Sequence, residues 1–539
     1  SIINPYSLQC LFSYTKKVSI MTSPKSATPS PKLLEQTIKK ILTSNVYDVA
    51  IESPLHVAPF LSERLGNKVW VKREDKQPVY SFKIRGAYNK VVQLSDEEKA
   101  AGVVAASAGN HAQGLALAAT ELGIKATIVM PRTTPEIKVK SCKARGAKVV
   151  LHGDTFDEAF TYSQKLVEEK GLTYIHPYDD PDVIAGQGTI GMEILRQLSD
   201  PIDAIFVPVG GGGIIAGISA YVKYLRPDIK VIGVESTESA SLHAALAAGR
   251  RVTLPFVGIF ADGVAVAQVG KNTWDLARHY VDEVITCTPD ELCAAVKDVF
   301  DDTRAVCEPA GALSVAGMKK YVEREGIKGA NLVSILSGAN MNFDRLRYIA
   351  EVAEIGEGRE AILAVTIPER AGSFQQFCSL LGKRPITEFN YRYRDDKSAQ
   401  IYVGVKVGAE KDARQHLLAE LKAKDYPAVD LTEDEVSKYH IRHMVGGHAP
   451  DSVSDELVYR FEFPERPGAL LQFLKTLGKK FNISLFHYRN HGAAYGRVLV
   501  GLQVPKDNRQ HKELEGYLTE LGYNYWNESD NPAYKLFLR

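Results

Sequence analysis

Cysteine is scarce in this chain: there are six (Cys10, Cys142, Cys287, Cys293, Cys307 and Cys378) in 539 residues, with no Cys-x-x-Cys pair and no metal-like Cys/His spacing. A disulfide framework and a metal site are therefore not expected, and free thiols suit a reducing compartment. An excess of one charge is missing as well. With 66 basic against 65 acidic residues there is no overall field to attract nucleic acid or an anionic membrane surface. Long apolar runs are also absent, none reaching the roughly 18 to 20 residues that span a bilayer. The expected partners are small molecules and further copies of the chain.

The first 34 residues lack both acid and arginine, Glu35 being the first carboxylate, and are rich in Ser, Pro and Lys. Such a stretch reads as an unstructured leader, residues 1–35, similar to an organelle transit peptide. The missing arginine argues against a transit peptide, and Met21 is an alternative start. The cytoplasm is the expected compartment, with a plastid or mitochondrion as the alternative.

What is present fits ordinary folding. The chain is 45% hydrophobic and 24% charged, which is enough to fill cores, and its length predicts about two to four domains. From about Val46 to Met341, short apolar runs alternate with longer helical stretches, the pattern of α/β folds with parallel sheets and covering helices. Val69 to Val71, Gly102 to Ala106, Ala126 to Met130 and Ala204 to Val207 read as buried strands. Asn110 to Gly123 and Asp157 to Gly171 read as helices closed by glycine. In such folds, ligands gather at the carboxyl ends of strands.

After about Arg345 the elements become shorter and more charged, and the sequence repeats itself. Ile367-Pro368-Glu369-Arg370-Ala371-Gly372 returns as Phe463-Pro464-Glu465-Arg466-Pro467-Gly468. Leu381 to Lys383 returns as Leu477 to Lys479, and the strand-like Phe389 to Arg392 returns as Phe486 to Arg489. A duplicated α+β module follows, with expected limits of 36–345 for the first region and 346–450 and 451–539 for the two copies.

Four segments of the first region carry chemistry. Ser81-Phe82-Lys83-Ile84-Arg85-Gly86 sets a lysine at a helix start among apolar neighbours, which favour a neutral amine able to form a Schiff base. Taken alone, Lys83 reads first as a solvated surface residue, and only its apolar surroundings favour the Schiff-base reading. Ser107-Ala108-Gly109-Asn110-His111 joins a strand to a helix. Its small residues leave backbone N–H groups free to seat a carboxylate, a simple helix cap being the alternative. Gly210 to Gly213, followed by Ile214, would cost roughly 1 kcal/mol per glycine inside an ordered helix. A nest of N–H donors around a phosphate accounts for that composition better than a linker does. Neither P-loop nor dinucleotide spacing is present, so ATP and NAD are poor candidates. Ser337, in Leu336-Ser337-Gly338-Ala339-Asn340, adds a hydroxyl at a strand end, although without the other three segments it reads as a plain turn residue.

A lysine, a carboxylate seat, a phosphate cradle and a hydroxyl together match pyridoxal 5'-phosphate and an amino-acid substrate. From about Ile41 onward the chain resembles biosynthetic threonine dehydratase (threonine ammonia-lyase) of the tryptophan-synthase-β-like, fold-type II class. All four segments and both Pro-Glu-Arg copies stand in that family's order. The resemblance implies that Lys83 bears the cofactor and takes the α-proton, and that Asn110 bonds the cofactor's phenolic oxygen. It further implies that Gly210 to Gly213 with Ile214 hold the phosphate, that Ser337 faces the pyridine nitrogen, and that Phe82 is among the cofactor-binding residues. It implies β-elimination of L-threonine to 2-oxobutanoate and ammonia, with L-serine as a secondary substrate.

Ala108 stands where a racemase of this fold would need a hydroxyl, which argues against racemisation. Glu308 is a candidate cofactor neighbour or a salt-bridge partner, and His111 and His176 read as structural. The duplicated tail resembles paired ACT-like regulatory domains, which implies isoleucine inhibition, valine opposing it, and a homotetramer. Tyr391-Arg392 and Tyr488-Arg489 are effector-site candidates because the same pair ends the same strand in each copy. An aromatic ring with a guanidinium suits an apolar amino acid, and a cross-strand packing pair is the alternative.

Overall fold

The computed structural model describes residues 31–343, 345–356, 359–393, 398–408, 412–434, 437, 441–443, 447–450, 452–453, 455–464, 469–477, 481–489, 495–505 and 508–539. The chain divides into two units, one running to Ala353 and the other starting at Glu354.

The first unit is built on two sheets. The larger has the strand order Leu55–Val57, Lys68–Arg73, Asn331–Leu336, Ala204–Pro208, Lys230–Ser236 and Glu283–Cys287. All its pairings are parallel except that of the first, antiparallel edge strand. The smaller sheet runs Lys148–Leu151, Ala126–Met130, Val103–Ala106 and Thr173–Tyr174, wholly parallel. Every residue of Val103–Ala106, Ala204–Pro208 and Asn331–Leu336 is buried. Helices cover both faces of such strands, which is why they read as continuous apolar runs rather than alternating ones. The helix Lys83–Val92 packs against Asn110–Glu121, which follows a strand of the smaller sheet, and against Pro181–Gln197.

Two expected limits move. Residues 31–35, read as leader, open the helix Pro31–Leu42, whose Ile38 and Ile41 are buried against Ala185 and Tyr221. Spacing of three to four residues puts these apolar side chains on one face, so the Pro- and Lys-rich start conceals an ordered element. The rest of the leader, with Met21, lies outside the described residues. At the other end, the helix Arg345–Gly356 buries Ile349, Val352 and Ala353 in the core that holds Leu332 and Leu336. That helix extends the first unit past the expected limit of residue 345.

The second unit is an eight-stranded sheet with the order Ala428–Asp430, Glu360–Pro368, Ser398–Lys406, Ile386–Arg392, Asn482–Arg489, Tyr495–Gln503, Glu456–Pro464 and Asn524–Asn527. Each half contributes four strands and two main helices, Ser373–Leu381 and Ala413–Ala423 in one, Ala469–Leu477 and Asn508–Leu521 in the other. The repeat in sequence is thus a repeat in structure. The halves join where Ile386–Arg392 pairs antiparallel with Asn482–Arg489, setting Phe389 opposite Tyr488 and Tyr391 opposite Phe486. Phe374, Phe377, Phe389, Phe461, Phe463, Phe473 and Phe486 fill one shared core. Glu465 to Gly468 and Gly478 with Lys479 of the second copy lie outside the described residues.

Candidate active site

The four segments singled out in the sequence converge at strand ends. Ser107 follows Val103–Ala106, the glycine run follows Ala204–Pro208, and Ser337 follows Asn331–Leu336. Ser81 forms an isolated bridge with Gly338, and the Phe82 N–H donates to the Ser337 carbonyl at 3.2 Å. Those two contacts bring Lys83, the first residue of its helix, to the end of the central strand.

Lys83 is half-buried, and its amine donates to the Pro177 carbonyl at 2.8 Å while lying 5.3 Å from the centre of the Phe82 ring. Desolvation lowers its pKa to about 8, and the nearby Glu308 carboxylate opposes the shift. A lysine so placed reaches the neutral, nucleophilic form near physiological pH. The helix is fixed from behind by wholly buried charges: Arg85 meets Glu74 at 2.7 Å and Glu193 at 2.5 Å, and Lys72 meets Glu193 at 2.5 Å. Two cations against two carboxylates leave no net buried charge. The one sign of this cluster in the sequence is Arg85 itself, a charge inside an apolar helix start.

Every glycine of the run is held by a close neighbour. A Cβ at Gly211 would stand 2.2 Å from the Tyr178 ring, one at Gly210 would lie 3.0 Å from the Val264 Cα, and Gly212 has φ +92. Tyr178 belongs to none of the four segments, yet it lies beside Pro177 and so links the lysine to the glycine loop. Gly212 precedes the helix Gly213–Leu225 and Gly109 precedes Asn110–Glu121, and neither helix start has a side-chain cap. Two neighbouring helices are served instead by remote carboxylates. Glu235 accepts from Leu242 and His243 N–H groups at 2.8 Å, and Asp179 accepts from those of Lys271 at 2.8 Å and Asn272 at 2.7 Å. The uncapped pair therefore retains donors suited to anions.

Asn110 donates from Nδ2 to Glu308 Oε1 at 2.6 Å and accepts at Oδ1 from Asn340 at 2.7 Å. Burial, with Asp262 nearby, raises the Glu308 carboxyl to about 7. Asp262 pairs in turn with Lys138 at 2.5 Å. The Ser337 hydroxyl is buried and donates to the Ala310 carbonyl at 3.3 Å. His111 bonds the Ile175 carbonyl at 2.8 Å, and burial lowers its pKa to about 3, so it remains neutral. His176 accepts from the Asp179 N–H at 2.8 Å and thereby holds the loop that carries Pro177.

In the second unit, Tyr391 and Tyr488 are core residues, at 3% and 1% exposure. The Tyr391 hydroxyl donates to Glu369 of the first Pro-Glu-Arg copy. Arg392 meets Glu456 of the other half through two bonds, at 2.5 and 3.1 Å. Glu456 also accepts from the Tyr534 hydroxyl at 2.6 Å. Arg489 lies opposite Glu388 in the register.

A half-buried amine of lowered pKa, two uncapped helix starts and a buried neutral hydroxyl fit pyridoxal phosphate, and they define a pyridoxal-phosphate-dependent enzyme on paired parallel sheets. The family described as pyridoxal-phosphate dependent enzyme matches residues 46–338, and the C-terminal regulatory domain of threonine dehydratase matches twice, at 351–441 and 448–538. The chain belongs to the biosynthetic threonine dehydratase family. It is 56% identical to the biosynthetic L-threonine dehydratase of Burkholderia multivorans over 93% of its own length and 99% of that protein. It is 50% identical to the chloroplastic threonine dehydratase 1 of Solanum lycopersicum, over 99% of this chain and 87% of that one. The solved processed form of threonine deaminase isoform 2 from Solanum lycopersicum aligns with a TM-score of 0.61 at 50% identity, covering 62% of this chain and 97% of that one.

Proposed function

We propose that this chain converts L-threonine to 2-oxobutanoate and ammonia, accepts L-serine as a second substrate to give pyruvate, and is inhibited by isoleucine, with valine opposing. The observation that carries the reading is the Lys83 amine, bonded to the Pro177 carbonyl with its pKa lowered to about 8, together with two uncapped helix starts. Pyridoxal phosphate, when bound, supplies the sink for the electrons released at the α-carbon.

The chain's own groups do the rest. Gly210 to Gly213 and Ile214 would hold the phosphate through their backbone N–H groups, and Ser107 to His111 would receive the substrate carboxylate. Phe82 walls the site on the lysine side. Lys83, in its neutral form, would take the α-proton. Ser337 would offer the ring nitrogen an uncharged hydroxyl, which stabilises a protonated ring less than a carboxylate would. Loss of the β-hydroxyl is then the easier exit. Overall, threonine loses water and regains it on hydrolysis, so the products are 2-oxobutanoate and ammonia alone.

For control, the effector enters the hollow lined by Arg370, Gly372, Phe374, Leu474, Phe481 and Ile483, where the two halves of the second unit meet. Tyr391 acts from beneath, its ring 4.9 Å from that of Phe374. Arg392, Tyr488 and Arg489 complete the seam. The active form is a homotetramer. The compartment is the cytoplasm, unless residues 1–35 fused to a reporter direct it to a plastid or mitochondrion.

An assay of the purified chain for 2-oxobutanoate from threonine, with and without isoleucine and beside Lys83→Ala, tests the reading. Product that falls with isoleucine and vanishes in Lys83→Ala is expected. Normal turnover by Lys83→Ala would sink the mechanism.

A further inference from the structure

The side-chain amide of Asn110 is gripped at both ends, and a backbone carbonyl decides which end is which. Asn340 Nδ2 lies 2.7 Å from the Val79 carbonyl oxygen, which only accepts, so the facing atom of Asn340 is its nitrogen. That nitrogen also lies 2.7 Å from Asn110, whose facing atom must therefore be oxygen. The Asn110 nitrogen is thereby turned towards Glu308 Oε1, 2.6 Å away. Reversing the amide would set donor against donor at Asn340, leaving buried polar groups unpaired.

The surroundings leave little room for Glu308 to move. A Cβ at Gly338 would stand 2.5 Å from Glu308 Oε1, and one at Gly263 would stand 3.4 Å from it. The Glu308 N–H bonds the Gly338 carbonyl at 3.3 Å. An amide nitrogen carries two hydrogens. One is committed to Glu308, and one remains.

We propose that Glu308 and Asn340 are positioning residues for the deamination, locking the Asn110 amide so that its remaining N–H is offered to the oxygen substituent of the cofactor ring. The proposal rests on the reading of Asn110 as a cofactor contact.

The test uses the full chain loaded with pyridoxal phosphate, carrying Glu308→Ala, Glu308→Gln or Asn340→Asp. The readouts are cofactor content, the visible absorbance band that Lys83→Ala abolishes, and kcat and KM for threonine. Glu308→Ala is expected to keep the cofactor, shift the band and lower kcat by roughly 10- to 100-fold at little-changed KM, the effect of misplacement by about an ångström or less. Glu308→Gln still offers an oxygen to Asn110 and should restore the band and most of kcat. Asn340→Asp sets a carboxylate against the Val79 carbonyl and the Asn110 oxygen, and should shift the band as Glu308→Ala does. An unshifted band in Glu308→Ala and Asn340→Asp overturns the proposal, as does a Glu308→Gln chain as impaired as Glu308→Ala. If Glu308→Ala fails to fold, the band of Asn340→Asp decides alone, a shift supporting the positioning role and an unshifted band overturning it. A wild-type chain with no Lys83-dependent band overturns the cofactor assignment itself, which separates that failure from failure of the positioning role.

Discussion

The Lys83 amine donates to the Pro177 carbonyl across 2.8 Å, a neutral acceptor that orients the amine without fixing its charge. Because burial lowers the folded pKa to about 8, an unfolded chain holds a proton that the folded chain has lost between about 8 and the ordinary lysine value of 10.5. The stability contribution of this lysine should therefore rise with pH across that window. In cofactor-free protein, denaturant midpoints of wild type and Lys83→Met should converge as pH rises from 8 to 10.5. The rate at which pyridoxal phosphate attaches should climb about tenfold per pH unit below about 8 and level off above it, following the neutral amine. A flat rate profile through that range would contradict the assigned environment.

Gly211 and Tyr178 make a second test. A methyl at Gly211 would overlap the Tyr178 ring at 2.2 Å, so Gly211→Ala must displace the ring or the loop. Overpacking of this kind costs about 1–3 kcal/mol, and the shifted N–H groups should weaken cofactor binding, measured as the cofactor concentration needed for half-maximal activity. Adding Tyr178→Ala removes the clash and should recover part of that affinity. Failure of the second substitution to recover any would place the fault in the backbone rather than the ring.

Local chemistry was legible in the sequence, whereas distant partnership was not. Val103–Ala106 and Asn331–Leu336 could be read because strands buried on both faces are apolar throughout. Lys83, the glycine run and Ser337 could be read because each sits in a short segment at a strand end. Pro177, 94 residues from Lys83, and Glu193, 108 residues from Arg85, could not be paired with them, because only the folded topology brings them together. The helix Pro31–Leu42 is hidden for a different reason. Proline at a helix start breaks no intrahelical bond, but in composition it looks like disorder. The duplication was plain in the tail, while the partner of Arg392, 64 residues away in the other copy, was not.

That partner supplies a third prediction. Arg392 and Glu456 are 8% and 2% exposed, so removing one leaves the other charge buried. Breaking such a pair costs about 3–5 kcal/mol. Arg392→Ala should speed hydrogen exchange along Ile386–Arg392 and Asn482–Arg489, the strands joining the two halves. Arg392→Lys keeps the charge but cannot reproduce two bonds from one planar group, and should fall between. Catalysis without effector should be little changed in both. Unaltered exchange in Arg392→Ala would mean that the pair contributes nothing to the seam.

The last prediction concerns where the chain can be cut. Ile349, Val352 and Ala353 belong to the core of the first unit, although they follow the point at which the sequence turns charged. A chain ending at Gly356 keeps them, and one ending at Arg345 loses all three. The longer truncation should retain threonine turnover and lose its response to isoleucine, because the second unit is gone while the first core is intact. The shorter should be less stable by several kcal/mol, since emptying one large apolar site alone costs about 2–5 kcal/mol. Thermal inactivation of the two truncations side by side measures the difference. Equal inactivation would show that the helix Arg345–Gly356 contributes nothing to the first unit. Isoleucine sensitivity persisting in the longer truncation would move the effector site into the first unit and remove the regulatory role assigned to the second.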